Sequence, residues 1–137
     1  MSKIFAVIDT NVLVSGLITP SASSPTKGVL DCMTNKVITP LYNEEILQEY
    51  HDVLHREKFQ LPNDRVDEIL NLVKSDGVLT VRIPSDKSFV DSKDIVFYEV
   101  ALSREDSFLV TGNIKHFPEV DFVVTPAEMM EIINRDI

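Results

Sequence analysis

Asp9, Glu49, Asp91, Asp94 and Asn113 are oxygen-bearing side chains in four separate stretches, "FAVIDTN", "EILQEYHDVL", "DSKD" and "FLVTGNIKHF". Brought together, they could do the chemistry of a hard divalent cation, because such ions prefer carboxylate and carbonyl oxygens completed by water. Convergent carboxylates raise one another's pKa and cost stability unless positive charge sits among them. A cation supplies that charge, eases the ionisation of water and offsets charge on a phosphoryl group. Each position also has a plainer use. Asp9-Thr10-Asn11 can cap a helix starting at Val12, and Asp91 can cap the next acidic helix with Asp94 as a first-turn acid. Asn113 can close a turn, contact a phosphate or offer a carbonyl oxygen, but it brings no charge.

Such residues meet only if the elements carrying them end at one edge. Strand candidates are Ile4–Ile8, Val37–Thr39, Val78–Ile83, Phe108–Thr111 and Phe122–Thr125, all short and apolar or β-branched. Helical patterns lie between them at Val12–Leu17, Lys27–Met33, Asn43–Arg56, from Asn63 onward, and at Ser92–Ser103. A last helix opens with Thr125-Pro126-Ala127-Glu128, which combines a cap, a proline at the first helical position and a capping-box glutamate. Strands alternating with helices, without hairpin signals, predict a parallel sheet covered on both faces. In open sheets of that kind ligands gather outside the carboxyl ends of the strands, where strand order reverses. Asp9, Glu49, Asp91, Asp94 and Asn113 all follow strand candidates, so all emerge at that edge.

Helical projection separates the two glutamates of the third helical pattern. Relative to a stripe centred on Tyr50, Glu49 lies at about 100° and Glu45 at about 140°. Glu49 therefore borders the buried face, whereas Glu45 is a surface charge. "HDVLH", from His51 to His55, has the histidine spacing of a zinc protease, but Asp52 replaces the glutamate and no third ligand is identifiable. Two exposed histidines are the reading preferred. Thr10 and Thr111 are candidates to orient carboxylates, Asn11 to support the same site, and Lys115 to meet a phosphate.

Composition sets the outer limits. With 137 residues, 44% hydrophobic and 26% charged, the chain fits one folded domain, expected over 1–137. Cys32 is the only cysteine, which excludes an intramolecular disulfide and a cysteine-rich zinc site. The formal charge of −9 opposes broad, sequence-independent nucleic-acid binding, unless bound metal reverses the local field. The stretch "MSKIFAVIDTN" is expected to be neither a signal peptide nor a membrane span, and a cytoplasmic setting is expected. "TPSASSP" reads as a surface loop.

Together, "FAVIDTNVLVSGL", "EILQEYHDVLHREKF", "DSKDIVFYEVALS" and "FLVTGNIKHFP" resemble the PIN domain (PilT N-terminal) nucleases, in particular the toxins of toxin–antitoxin pairs. The resemblance implies an α/β fold, a three-layer α/β/α sandwich with a central parallel sheet of about five strands. It implies hydrolysis of RNA phosphodiesters with Mg2+ or Mn2+, leaving a 5′-phosphate and a 3′-hydroxyl. By motif position it places the catalytic and metal-binding acids on Asp9, Glu49 and Asp94, with Asp91 in the same motif. Many relatives read Thr-Gly-Asp where this chain reads Thr111-Gly112-Asn113, so Asn113 stands in place of a fourth acid. An antitoxin protein and a homodimer are the partners the resemblance implies, with no membrane. The competing expectation is a PIN module that binds RNA or protein without cleaving. A signalling receiver domain shares the layout, but it requires paired acids after the first strand and Lys-Pro after the last, where this chain has "VIDTN" and "VVTPAE".

Overall fold

Five short apolar runs pair in parallel into one sheet, with strand order β3-β2-β1-β4-β5. The computed structural model describes residues 3–89 and 91–135, so the ends of the expected 1–137 domain, residues 1–2 and 136–137, lie outside the described residues. In chain order the elements are β1 (Ile4–Ile8), α1 (Thr10–Ile18), α2 (Pro25–Thr34), β2 (Ile38–Tyr42), α3 (Glu44–Leu54), α4 (Asn63–Asp76), β3 (Val78–Leu79), α5 (Asp94–Leu102), β4 (Ser107–Val110), β5 (Val123–Val124) and α6 (Pro126–Arg135). Single 3-10 turns cover Glu57–Phe59 and Ile114–His116. Among the described residues no helix is long and apolar enough to cross a membrane.

The burial of β1 shows how the layers are arranged. Ala6, Val7 and Ile8 point alternately to opposite faces, yet all three are completely buried, so helices cover both sides of the sheet. This is the three-layer α/β/α sandwich. Helix α5 explains its own depth: Val96 through Ala101 are buried without a break, and the helix packs on β1, β2 and β4. Because β2 and β3 lie on one side of β1 and β4 and β5 on the other, strand order reverses between β1 and β4. The crevice at their carboxyl ends is where this topology places a ligand.

Several boundaries differ from the expectation for physical reasons. The strand expected at Val37–Thr39 is β2 over Ile38–Tyr42, and Pro40 lies inside it, paired with Ala6. The strand expected at Val78–Ile83 shrinks to two paired residues, and Leu79, Val81 and Ile83 are exposed at the sheet edge. Beyond Thr80 the chain leaves the sheet and Ile83 N–H bonds to the Glu99 carbonyl on α5 instead. Asn63 is the first residue of α4 rather than its cap, with Pro62 in the cap position. Asn43 does cap α3, accepting from Ile46 N–H at 2.8 Å. The capping box of α6 closes in both directions, Thr125 N–H to Glu128 at 2.9 Å and Glu128 N–H to Thr125 at 3.1 Å.

Candidate active site

Helix α1 starts two residues earlier than expected, which puts Asp9 itself in the cap position. Its side chain does not cap. Asp9 Oδ2 instead accepts from Thr111 Oγ at 2.7 Å and from Asn11 Nδ2 at 3.2 Å, while Asp9 N–H bonds to the Val110 carbonyl. The carboxylate is therefore turned across the β1–β4 crevice, at 5% exposure. Burial is the main cause that lifts its pKa from 3.8 to about 6; the Thr111 hydrogen bond opposes the rise, and the charges of Asp94 and Glu49 add to it.

Helix α3 brings Glu49 to the same crevice. Tyr50, fully buried beneath it, donates its hydroxyl to the Ile8 carbonyl at the end of β1 and so ties α3 to the strand that carries Asp9. Burial first, and then the Asp9 charge, pushes the Tyr50 phenol upward, so it remains a hydrogen-bond donor. One residue earlier, Glu49 Oε2 accepts from the buried Thr10 hydroxyl at 3.0 Å. Glu49 is half-buried and Glu45 exposed, matching the helical projection.

Asp94 is the first residue of α5, while Asp91 lies in the preceding turn and accepts from Lys93 N–H at 3.0 Å. Asp91 thus closes that turn rather than capping the helix. Burial and the neighbouring Asp91 charge raise the pKa of Asp94, with His116 opposing. His116 Nδ1 stands 3.4 Å from Asp94 Oδ2, near enough for a charge contact when protonated but not aligned as a hydrogen bond. This buried carboxylate oxygen consequently has no hydrogen-bond donor. An orphaned acceptor of this kind is costly unless a cation or water satisfies it.

The cleft over these groups has a volume of about 390 Å³ and is lined by Asp9, Thr10, Asn11, Glu49, Asp91, Asp94, Asn113 and His116, with Val53 and Phe59 on an apolar wall. Asn11 braces it from below, since its Oδ1 accepts from Gly112 N–H at 3.2 Å while its amide reaches Asp9. Asn113 lines the cleft, and its N–H donates to Thr111 Oγ at 3.0 Å. Lys115, the expected phosphate contact, lies elsewhere, lining a separate depression with Ile114, Phe117, Pro118 and Glu119. His116, Phe59 and Tyr50 went unassigned to the site from sequence. For His116 the available signal was its position three residues after Asn113, the last residue of the Thr-Gly-Asn turn.

The donor set suits Mg2+ or Mn2+: carboxylate oxygens, one of them orphaned, with burial raising the pKa values of Asp9 and Asp94, and no thiol. The fit lies in chemistry and charge. Among the described residues no three His, Cys, Asp or Glu side chains form a ready ligand set for one ion. An ion held here would complete its shell with water, as Mg2+ commonly does.

A PIN domain family model matches residues 6–115, which takes in every lining residue of the cleft except His116. No curated protein and no solved structure matches the chain.

Proposed function

The chain belongs to the PIN domain family, whose chemistry is of the nuclease type, and on that premise we propose that it is an Mg2+- or Mn2+-dependent endoribonuclease acting as the toxin of a toxin–antitoxin pair. The observation that carries this reading is the orphaned, buried Asp94 oxygen facing a cleft shared with Asp9 and Glu49. In this reading Asp9, Glu49 and Asp94 hold the cation, with Asp91 and Asn113 at its margin. When bound, the cation supplies positive charge that makes water a better nucleophile and offsets charge on the phosphorus.

The protein's own groups do the positioning. Thr111 and Asn11 fix one oxygen of Asp9, Thr10 fixes one oxygen of Glu49, and Tyr50 fixes the height of α3 against β1. Val53 and Phe59 give the cleft a wall against which a nucleotide base packs, as apolar and aromatic surfaces do in nucleic-acid sites. The substrate class is RNA, the setting is the cytoplasm, and the protein partners are a basic antitoxin segment and a second copy of the chain. A pull-down from the native host that yields no basic partner would count against the antitoxin.

Asn113 favours one other reading, a non-cleaving PIN module that binds RNA or protein, because it withholds a charge from the cleft. A single experiment separates them. The purified chain should cleave RNA with Mn2+, stop with EDTA, recover on adding Mn2+ back, and lose activity in Asp9→Asn. RNA left intact across a broad metal screen, with binding retained, would establish the non-cleaving module instead.

A further inference from the structure

The last turn of helix α3 and the residue that caps it carry a second set of ligand-type side chains, His51 within the helix and His55 at its C-cap, and neither lines the cleft. His51 and His55 are one turn apart and both exposed, the His51 side chain at 58%. Their rings lie face to tilted face with centroids 4.4 Å apart. His51 lines a shallow groove between α3 and α4 with Glu44, Leu47, Gln48, Leu70 and Lys74, and neither histidine lines the acidic cleft.

The hydrogen bonds of the two rings decide which nitrogens are free. His55 Nδ1 is 2.6 Å from the His51 carbonyl oxygen. A carbonyl only accepts, so Nδ1 carries the proton and the lone pair is on Nε2. His51 Nδ1 lies 3.5 Å from Asp52 Oδ1, a longer contact of the same polarity, which favours the same tautomer. Asp52 is itself held by Gln48 Nε2 at 2.8 Å and serves to orient rather than to ligate. An oxygen acceptor behind Nδ1, with Nε2 making no hydrogen bond among the described residues, is the arrangement that orients histidines on metals. His55 caps α3 four residues after His51, and the 4.4 Å ring separation shows that the two side chains lie side by side.

We propose that His51 and His55 form a two-histidine site for a late first-row divalent cation such as Zn2+ or Ni2+, with water completing the shell. Imidazole nitrogen suits these ions, whereas the carboxylate cleft suits Mg2+ and Mn2+, which in excess keep Zn2+ from it. The two sites on one helix are thus separated by ligand chemistry. This site does not depend on nuclease activity. A metal bridging one turn clamps the end of α3, next to Val53 and Phe59 of the cleft wall.

The test is calorimetric titration of the untagged full chain with Zn2+ in excess Mg2+, repeated with His51→Gln, His55→Gln, the double variant and Asp9→Asn. Both histidines are exposed, so the variants should fold as the parent does, which circular dichroism checks. One Zn2+ is expected to bind the parent and Asp9→Asn alike, about tenfold or more weakly in each single histidine variant and not at all in the double. Zn2+ binding that survives in the double variant, or that vanishes in Asp9→Asn, would place the ion in the acidic cleft and overturn the proposal. So would a parent that takes up no Zn2+.

Discussion

Thr111 Oγ donates to Asp9 Oδ2 at 2.7 Å, joining the end of β4 to the end of β1 between two buried side chains. These two residues are far apart in sequence, and the bond exists because β1 and β4 are parallel neighbours with Ile8 opposite Val110. The same Thr111 oxygen receives the N–H of Asn113, so one hydroxyl fixes both the carboxylate and the turn beside it.

Thr111→Val keeps the shape and deletes the hydroxyl. The Asp9 carboxylate then loses its nearest donor while remaining buried, which costs about 1–3 kcal/mol at neutral pH. Mn2+ affinity is expected to fall about 10–100-fold, as it does when an orienting partner of a metal ligand is removed. Urea unfolding and a Mn2+ titration check the two effects separately. Unchanged Mn2+ binding would show that Asp9 needs no such support.

Asp9 itself gives a pH signature. Because its pKa is raised from 3.8 to about 6 on folding, the unfolded chain is the stronger acid. Below 3.8 both states are protonated and the site costs nothing; as pH rises towards 6 the unfolded state ionises first, and stability falls. Above that window the loss is complete, on the order of 3 kcal/mol. Without divalent cations, Asp9→Asn is therefore expected to be more stable than the parent by up to about 3 kcal/mol at high pH, the difference closing below about pH 4. Saturating Mg2+ should reverse the order by binding the parent's native state. Denaturation curves across pH, with and without Mg2+, decide it; equal stabilities at high pH would contradict the buried, cation-free carboxylate.

The parts of this fold that repeat a pattern were readable in the sequence, and the parts that depend on distant partners were not. The apolar stripe of α3 placed Glu49 at a border and Glu45 in solvent, because helical geometry is local. Thr125 and Glu128 announced the start of α6 for the same reason. By contrast, Val78–Ile83 has the composition of a strand, but only Val78 and Leu79 find a partner in β2. Arg82 pulls the rest toward α5, and nothing within six residues of it reveals that Glu99 waits there. Asp9 looked like a helix cap and occupies the cap position, yet Thr111 and Asn11 turn its carboxylate elsewhere. Lys115 and His116 are adjacent in sequence, and the 3-10 turn sends only His116 to the cleft.

Arg82 supports the site from outside. Its Nε and Nη2 meet Glu99 Oε1 at 2.8 and 2.7 Å, and its Nη1 meets both Glu45 oxygens at 2.9 Å. Glu99 is buried and also accepts from Ser85 N–H at 2.7 Å. Arg82→Met strands the Glu99 charge and is expected to cost about 2–4 kcal/mol, whereas Glu45→Gln, on the exposed arm, should cost less than about 1 kcal/mol. Adding Glu99→Leu to Arg82→Met should restore much of the loss, since a buried ion pair is often replaceable by apolar packing. Urea unfolding of the three variants tests this order. Equal losses for Arg82→Met and Glu45→Gln would show that burial of Glu99 is not what matters.

Asn113 stands where the resemblance to PIN domains leads one to expect an acid. It lines the cleft, its backbone is held by Thr111, and its side-chain amide makes no hydrogen bond among the described residues. Asn113→Asp adds a carboxylate without changing the shape of the turn. If the side chain serves the cation, Mg2+ and Mn2+ should bind about tenfold or more tightly, by the added charge on an ion already flanked by Asp9 and Asp94. Without cations the same variant should lose stability, because a further like charge enters a cleft in which the pKa values of Asp9 and Asp94 are already raised. The two effects have opposite sign, so melting temperatures with Mg2+ and with EDTA should move apart relative to the parent. A variant that melts like the parent in both conditions would assign Asn113 to closing the turn alone.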